Sequence, residues 1–366
     1  MITRRNFIKQ TVAAGVACSI PYPFFAQEKP VQNNMIWANL LHLSYNMWND
    51  HVGLEYRGDC KCTNCKTETT RWAYDYRPDL TQTFHEDVWN TLLKDTVAAG
   101  MNMVVIDLGD AVLYESHPEI AVRNAWTPEK LRNELVKMRK LGLEPIPKLN
   151  FSATHDAWLG EYHRMVSTRK YYEVCSNLIH EVIDLFDTPR FFHLGMDEED
   201  PRDALNSRLE YVVNRQNDLW WGDLYFLIGE VEKKNVRPWI WSDYAWSYPD
   251  QFFKKMPKSV LQSNWYYGLL DGTSPFDLNK MEEPDKTWVK LYYDLETHGY
   301  DQVPTGSNWR NNVNMEATVD SCKDFIGPSR LAGFMLAPWL PTMASCLDMQ
   351  KDAINQMGRA IKKFNS

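Results

Sequence analysis

Two adjacent carboxylates, Asp197 and Glu198, stand near the end of the run Phe191-Phe192-His193-Leu194-Gly195-Met196-Asp197-Glu198-Glu199-Asp200. The apolar start predicts a buried strand, and Gly195 marks its abrupt end. A strand that delivers two acids to its C-terminal end sets them where a (β/α)8 barrel keeps its chemistry. Neighbouring carboxylates repel one another, and desolvation at a pocket mouth raises at least one pKa, so one of them can hold a proton near neutral pH. A general acid that cleaves a glycosidic bond needs such a proton. The competing reading is a solvated helix N-terminus, where the dipole favours Asp and Glu; Glu199 and Asp200 are expected to face solvent in either case. Asp243, after Trp241-Ser242, is the second candidate carboxylate. At about 5 Å from Glu198 it would complete a conventional nucleophile–acid pair.

The elements that must position these acids alternate in type. Apolar runs at 36–43, 103–108, 144–150, 190–194, 237–241, 260–265, 302–308 and 331–339 read as strands. Helical periodicity falls between most of them, at 86–99, 128–141, 170–186, 220–234, 285–297 and 313–325. Leu135, Met138 and Leu141 share one helical face, and Val174, Leu178 and Ile179 share another. Glycines in Ala-Gly-Met-Asn and Leu-Gly-Leu-Glu sit just past a helix end and before a strand. Eight strands in this order predict an α/β chain folded as one (β/α)8 TIM barrel. An open doubly wound sheet is the alternative, but no glycine-rich phosphate turn accompanies it.

On that barrel the polar and aromatic residues collect at the C-terminal ends of the strands. They are Asp110 after strand two, Lys148, Asn150 and His155 after strand three, and Asp197 and Glu198 after strand four. Trp241 and Asp243 follow strand five, Trp265 and Tyr267 strand six, Asn308 and Trp309 strand seven, and Trp339 strand eight.

These residues resemble the catalytic barrel of glycoside hydrolase family 20, the β-N-acetylhexosaminidases. His193-Leu194-Gly195-Met196-Asp197-Glu198 is similar to the family's His-x-Gly-Gly-Asp-Glu motif. The likeness runs from about Phe84 to Trp339, including Met101-Asn102-Met103 to Asp110 and the third strand Leu141-Gly142-Leu143-Glu144-Pro145-Ile146-Pro147. The resemblance implies hydrolysis of a terminal N-acetylhexosamine or related sugar, in which the 2-acetamido group is itself the nucleophile. Glu198 would then be the general acid/base and Asp197 would orient the acetamido group. Asp110, His155 and His193 would contact sugar hydroxyls or support the acids, and Trp241, Trp265, Trp309 and Trp339 would cage the sugar. Tyr266, Tyr267 and Tyr300 are candidates for the tyrosine that holds the acetamido carbonyl.

The chain departs from the family at several positions. Met196 replaces the second glycine, Pro147-Lys148-Leu149-Asn150 stands where Pro-Glu-x-Asp is usual, and Leu340-Pro341 follows Trp339 where an acid is usual. Lys148 is expected to pair with Asp110 or Asp197, the alternative being recognition of a charged sugar. A carbohydrate-binding barrel without turnover, and a two-carboxylate glycosidase using Asp243, are the competing functional readings.

The N-terminus carries Thr3-Arg4-Arg5-Asn6-Phe7-Ile8-Lys9, a twin-arginine export pattern followed by an apolar stretch. Cleavage near Phe25-Ala26-Gln27 would divide the chain into a signal at 1–26 and a barrel domain at 27–366, destined for the periplasm or the exterior. Losing Arg4, Arg5 and Lys9 takes the formal charge from −8 to −11. So acidic a surface argues against nucleic acid and anionic membranes as partners, and no segment of the barrel domain is apolar enough to span a bilayer. The partner expected instead is carbohydrate: 15 Trp and 18 Tyr exceed what core filling needs, and aromatic faces stack on sugars. Oligomeric state has no signature in the sequence.

Cys60, Cys62 and Cys65 cluster within the long segment at about 46–83. They fit a structural zinc, with His51 as a possible fourth ligand, or a disulfide in an oxidising compartment. A metal-dependent hydrolase built on them is the third functional reading, although the chemistry at Asp197 and Glu198 calls for no cofactor.

Overall fold

The computed structural model describes residues 35–51, 76–207, 209–268, 276–309 and 311–366. Its strands are β1 (Ile36–His42), β2 (Met103–Asp107), β3 (Glu144–Lys148), β4 (Phe191–His193), β5 (Arg237–Trp241), β6 (Leu261–Ser263), β7 (Thr305–Gly306) and β8 (Gly333–Leu336). All pair in parallel, in the order β6-β5-β4-β3-β2-β1-β8-β7. Bridges Gln262–Gln302 and Trp265–Thr305 join the two ends of that order. Val303 N–H donates to Gln262 O at 2.8 Å and Thr305 N–H to Asn264 O at 2.9 Å. The sheet is therefore closed, and the fold is the expected (β/α)8 barrel.

The surrounding helices are α1 (Glu86–Ala98), α2 (Pro128–Lys140), α3 (Arg169–Leu185), α4 (Pro201–Asn206), α5 (Asn217–Glu232), α6 (Tyr244–Ser247), α7 (Pro249–Lys255), α8 (Asp285–Thr297), α9 (Asn314–Phe325) and α10 (Leu347–Phe364). Local signals account for their limits. Thr127 caps α2 by accepting from Lys130 N–H at 3.1 Å, with Pro128 behind it. Gly142, at φ +83°, ends it by the left-handed residue that helix C-termini favour. Helix α3 buries Val174, Leu178, Ile179, Val182 and Ile183 on one face, each worth about 1.5–3 kcal/mol of removal from water. Helix α10 and the short helices α4, α6 and α7 are additions to the helices expected from the sequence. Helix α10 packs against α1 and α9, closing the ring of helices beside β8.

Side-chain alternation along the strands separates two cores. Ala38, Leu40, Met103, Val105, Ile146, Trp239 and Met335 point into the barrel. Leu41, Val104, Ile106, Phe192 and Ile240 pack outward on the helices. Register then aligns His42 with Asp107, Asp107 with Lys148, Lys148 with His193 and His193 with Trp239. A polar layer of His42, Asp107, Lys148 and His193 thus lies in the interior, each residue at most 1% exposed. Lys148 pairs with Asp107, correcting the expected pairing with Asp110 or Asp197. Burial and the Lys148 charge hold both imidazoles well below their ordinary pKa, so they are neutral.

Residues 1–34, with the expected export signal, and Cys60, Cys62 and Cys65 lie outside the described residues. Cys175, Cys322 and Cys346 are buried free thiols. Among the described residues no helix is long and apolar enough to cross a membrane, and no group of three or more His, Cys, Asp or Glu is arranged for a metal ion. His51 turns its Nδ1 to Asp50 at 2.7 Å.

Candidate active site

Beyond β4 the backbone makes an irregular turn that separates the two acids. Gly195 and Met196 both have φ +73°, and Glu198 has φ +53°. Gly195 is required twice over. Its φ lies in the left-handed region, and a Cβ there would fall 1.9 Å from Asn150 Oδ1. Asn150 ties the turn to β3: its Oδ1 accepts from Ser152 N–H at 3.0 Å and Met196 N–H at 3.3 Å, and its Nδ2 donates to Asp197 Oδ1 at 2.8 Å. Ser152 Oγ donates to Asp197 O at 2.5 Å, and Thr154 Oγ1 donates to Glu198 O at 2.9 Å. From the other side, Glu198 N–H donates to Asp243 Oδ2 at 2.7 Å. The result is two unlike carboxylates. Asp197 is 6% exposed, whereas the Glu198 side chain is 44% exposed at the cavity.

His155 joins them. Its Nε2 lies 3.3 Å from Glu198 Oε2 and its Nδ1 4.0 Å from Asp197 Oδ1. Burial works against its charge, but the neighbouring Asp197 and Glu198 prevail and hold its pKa at about 9. Asp243 is held well above the usual carboxylate range by burial and by the Asp197 charge. Asp203, in the first turn of α4, is pushed up to about 7 by burial and by Glu198. The cavity thus sets the His155 imidazolium beside Asp197, Glu198, Asp203 and Asp243, and Asp203 titrates near neutral pH.

The cavity encloses about 640 Å³, and aromatic rings form much of its wall. Trp265 and Tyr267 stack at 5.0 Å. Trp339 Nε1 donates to Tyr267 Oη at 3.1 Å, and Tyr45 Oη donates to Trp339 O at 2.5 Å. Of the candidate tyrosines, Tyr267 reaches the cavity. Tyr266 Oη instead donates to Asp285 at 2.9 Å and Tyr300 Oη to Met256 O at 2.9 Å.

Asp197, Glu198, His155, Asp243, Trp265, Tyr267, Trp309 and Trp339 converge on this cavity. Other expected contact residues do not line it. Asp110 is buried under Ser44 Oγ and Asn46 Nδ2, donors at 2.5 and 2.8 Å; burial pushes it up to about 7. Lys148 and His193 belong to the interior layer, which excludes Lys148 as a reader of charged sugars. Trp241 lies beneath Trp339, 5.7 Å between ring centroids. Asn150 acts on Asp197, and Asn308 turns away to Met349 O and Asp352 at 2.9 and 3.1 Å. Glu199, expected in solvent, is buried on Arg215, and Asp200 caps α4 by accepting from Arg202 and Asp203 N–H.

Sequence reasoning missed Tyr45, Trp48, Thr154, Asp203, Trp246 and Trp288, all on the cavity wall. Tyr45 and Trp48 carried a signal, since they follow β1 within a few residues as Trp265 and Tyr267 follow β6. Trp288 comes from the start of α8 and carried none.

No protein-family model matches the chain, and no curated protein matches it in sequence. Solved structures do share the fold. The GH20 exo-β-N-acetylglucosaminidase of Vibrio harveyi, in complex with N-acetylglucosamine, superposes with a TM-score of 0.52 at 15% identity, over 78% of this chain and 56% of that one. Dispersin B gives 0.52 at 16% identity, over 79% and 98%. The pneumococcal virulence factor StrH gives 0.56 at 13% identity, over 90% and 84%. The chain spans little more than half the length of the Vibrio harveyi protein, and at these identities the likeness is one of fold.

Proposed function

We propose that the chain is a glycoside hydrolase that removes a terminal N-acetylhexosamine or a closely related sugar with retention, by substrate-assisted catalysis. The observation that carries this reading is the divided pair of acids. Asp197 is recessed and oriented by Asn150, whereas Glu198 is presented to an aromatic-walled cavity beside His155. Glu198 protonates the glycosidic oxygen as the acetamido carbonyl oxygen attacks C1. Asp197 accepts the acetamido N–H and balances the positive charge of the oxazolinium ring. The departing sugar leaves Glu198 as a carboxylate, which takes a proton from the water that reopens the ring. His155 moderates the repulsion between the two acids. The fold likeness to β-N-acetylhexosaminidases supports the same reading.

Asp243 fits a conventional nucleophile poorly. Its Oδ2 is occupied by the Glu198 amide, and burial and the Asp197 charge both work against the ionised form a nucleophile needs, so it serves to lock the turn. Replacing Glu198 by Gln tests the assignment. Hydrolysis is expected to fall about 10²–10⁴-fold, while sugar affinity measured by calorimetry changes little. A wild-type protein that binds the sugar and turns over no glycoside would favour a binding barrel instead.

A further inference from the structure

The third acid of the run, Glu199, takes part in no step above, and neither does Arg215, yet both are buried at the site. Arg215 is 0% exposed. Its Nε donates to Glu199 Oε2 at 2.7 Å and its Nη2 to Glu199 Oε1 at 2.6 Å. The same Nη2 reaches Phe151 O and lies 3.7 Å from Met196 Sδ. Glu199 Oε1 also accepts from Ala153 N–H at 3.2 Å. On the opposite side, Arg215 Nη1 donates to Asp223 Oδ2 at 2.8 Å, and Asp223 holds Ser167 and Tyr172. One planar guanidinium thus fastens the turn after β4 to the loop after β3, and both to α5.

We infer that Glu199 and Arg215 are positioning residues for Glu198, a forked clamp that keeps the turn between Met196 and Glu199 in its left-handed conformation. Met196 and Glu198 adopt a backbone that L-residues disfavour, so a turn of this kind persists only where its surroundings over-determine it. Asn150 and Asp243 hold its middle, and the clamp holds its far end, one residue beyond the acid. A guanidinium suits the task because its fork engages both carboxylate oxygens and a carbonyl at once. The inference rests on the reading of Glu198 as the acid.

The test compares two variants that each remove one buried partner of the same guanidinium. Glu199→Gln meets the turn, whereas Asp223→Asn lies on the far side of Arg215. With both folded and similarly lowered in Tm, Glu199→Gln should lose about 10- to 100-fold in kcat, the scale of a small misplacement of a catalytic group. Its KM should stay within about twofold, and Asp223→Asn should keep the wild-type kcat. Wild-type kcat in Glu199→Gln, or an equal loss in Asp223→Asn, would overturn the inference. A wild-type protein inactive on every glycoside would refute the reading of Glu198, and the clamp is then judged from a crystal structure of Glu199→Gln. Glu198 leaving its left-handed φ, or its carboxylate leaving His155, sustains the clamp; an unchanged turn refutes it.

Discussion

Asp197 and Glu198 are neighbours in sequence but differ in surroundings, and His155 registers both. Its pKa rises from the ordinary 6.5 to about 9 because the two carboxylates outweigh the cost of burial. The folded state binds this proton more tightly than the unfolded chain, so the stabilisation is fully present below about pH 6.5 and is lost as pH rises through about 9. Its size is of order 1–3 kcal/mol. Thermal unfolding of wild type and of His155→Gln should therefore differ most at pH 6 and converge above pH 9. A gap in Tm that is constant across that range would contradict the charge assigned to His155.

At the scale of elements, the site depends on how β3 and β4 end. Gly195→Ala would force a left-handed alanine against Asn150 Oδ1 and the Asn150 backbone. The cost should be about 2–4 kcal/mol in urea unfolding, from backbone strain and overpacking; a loss below about 0.5 kcal/mol would show that the turn yields freely. These elements were unequally legible in the sequence. Each strand core and the acids after β4 could be read, because apolar runs and a terminal glycine are local signals. Strand parity was available too: Met103, Val105 and Asp107 alternate inward, as do Glu144, Ile146 and Lys148, which places Asp107 and Lys148 inside the barrel. Which residues meet across strands depends on register, and for that reason the Lys148 partner was misassigned. Asp110 and Asn308 were placed at the cavity from the strand ends alone, whereas loop geometry turns them toward Ser44 and Asp352. The burial of Glu199 has no local signal, because its partner Arg215 lies sixteen residues away, across α4 and the loop that follows it.

For the whole molecule, the barrel carries an ion pair in its interior and the chemistry above it. Lys148→Met would leave Asp107 buried without its cation, at a cost of about 3–5 kcal/mol. Adding Asp107→Leu should recover much of that loss, since a matched apolar pair removes both desolvation costs. A double variant as unstable as the sum of its parts in denaturant unfolding would mean that the pair is uncoupled. Closure of the sheet, the polar layer and the aromatic wall together present one recessed acid and one accessible acid to a sugar-sized cavity. On the proposed mechanism the sugar supplies its own nucleophile. The most direct measurement is the rate of hydrolysis of two 4-nitrophenyl glycosides that differ only at C2, acetamido against hydroxyl, by wild type and Asp197→Asn. Turnover of the acetamido substrate alone, lost in Asp197→Asn, is the expected result. Equal turnover of the two substrates, or full activity without the Asp197 carboxylate, would rule out the substrate-assisted mechanism.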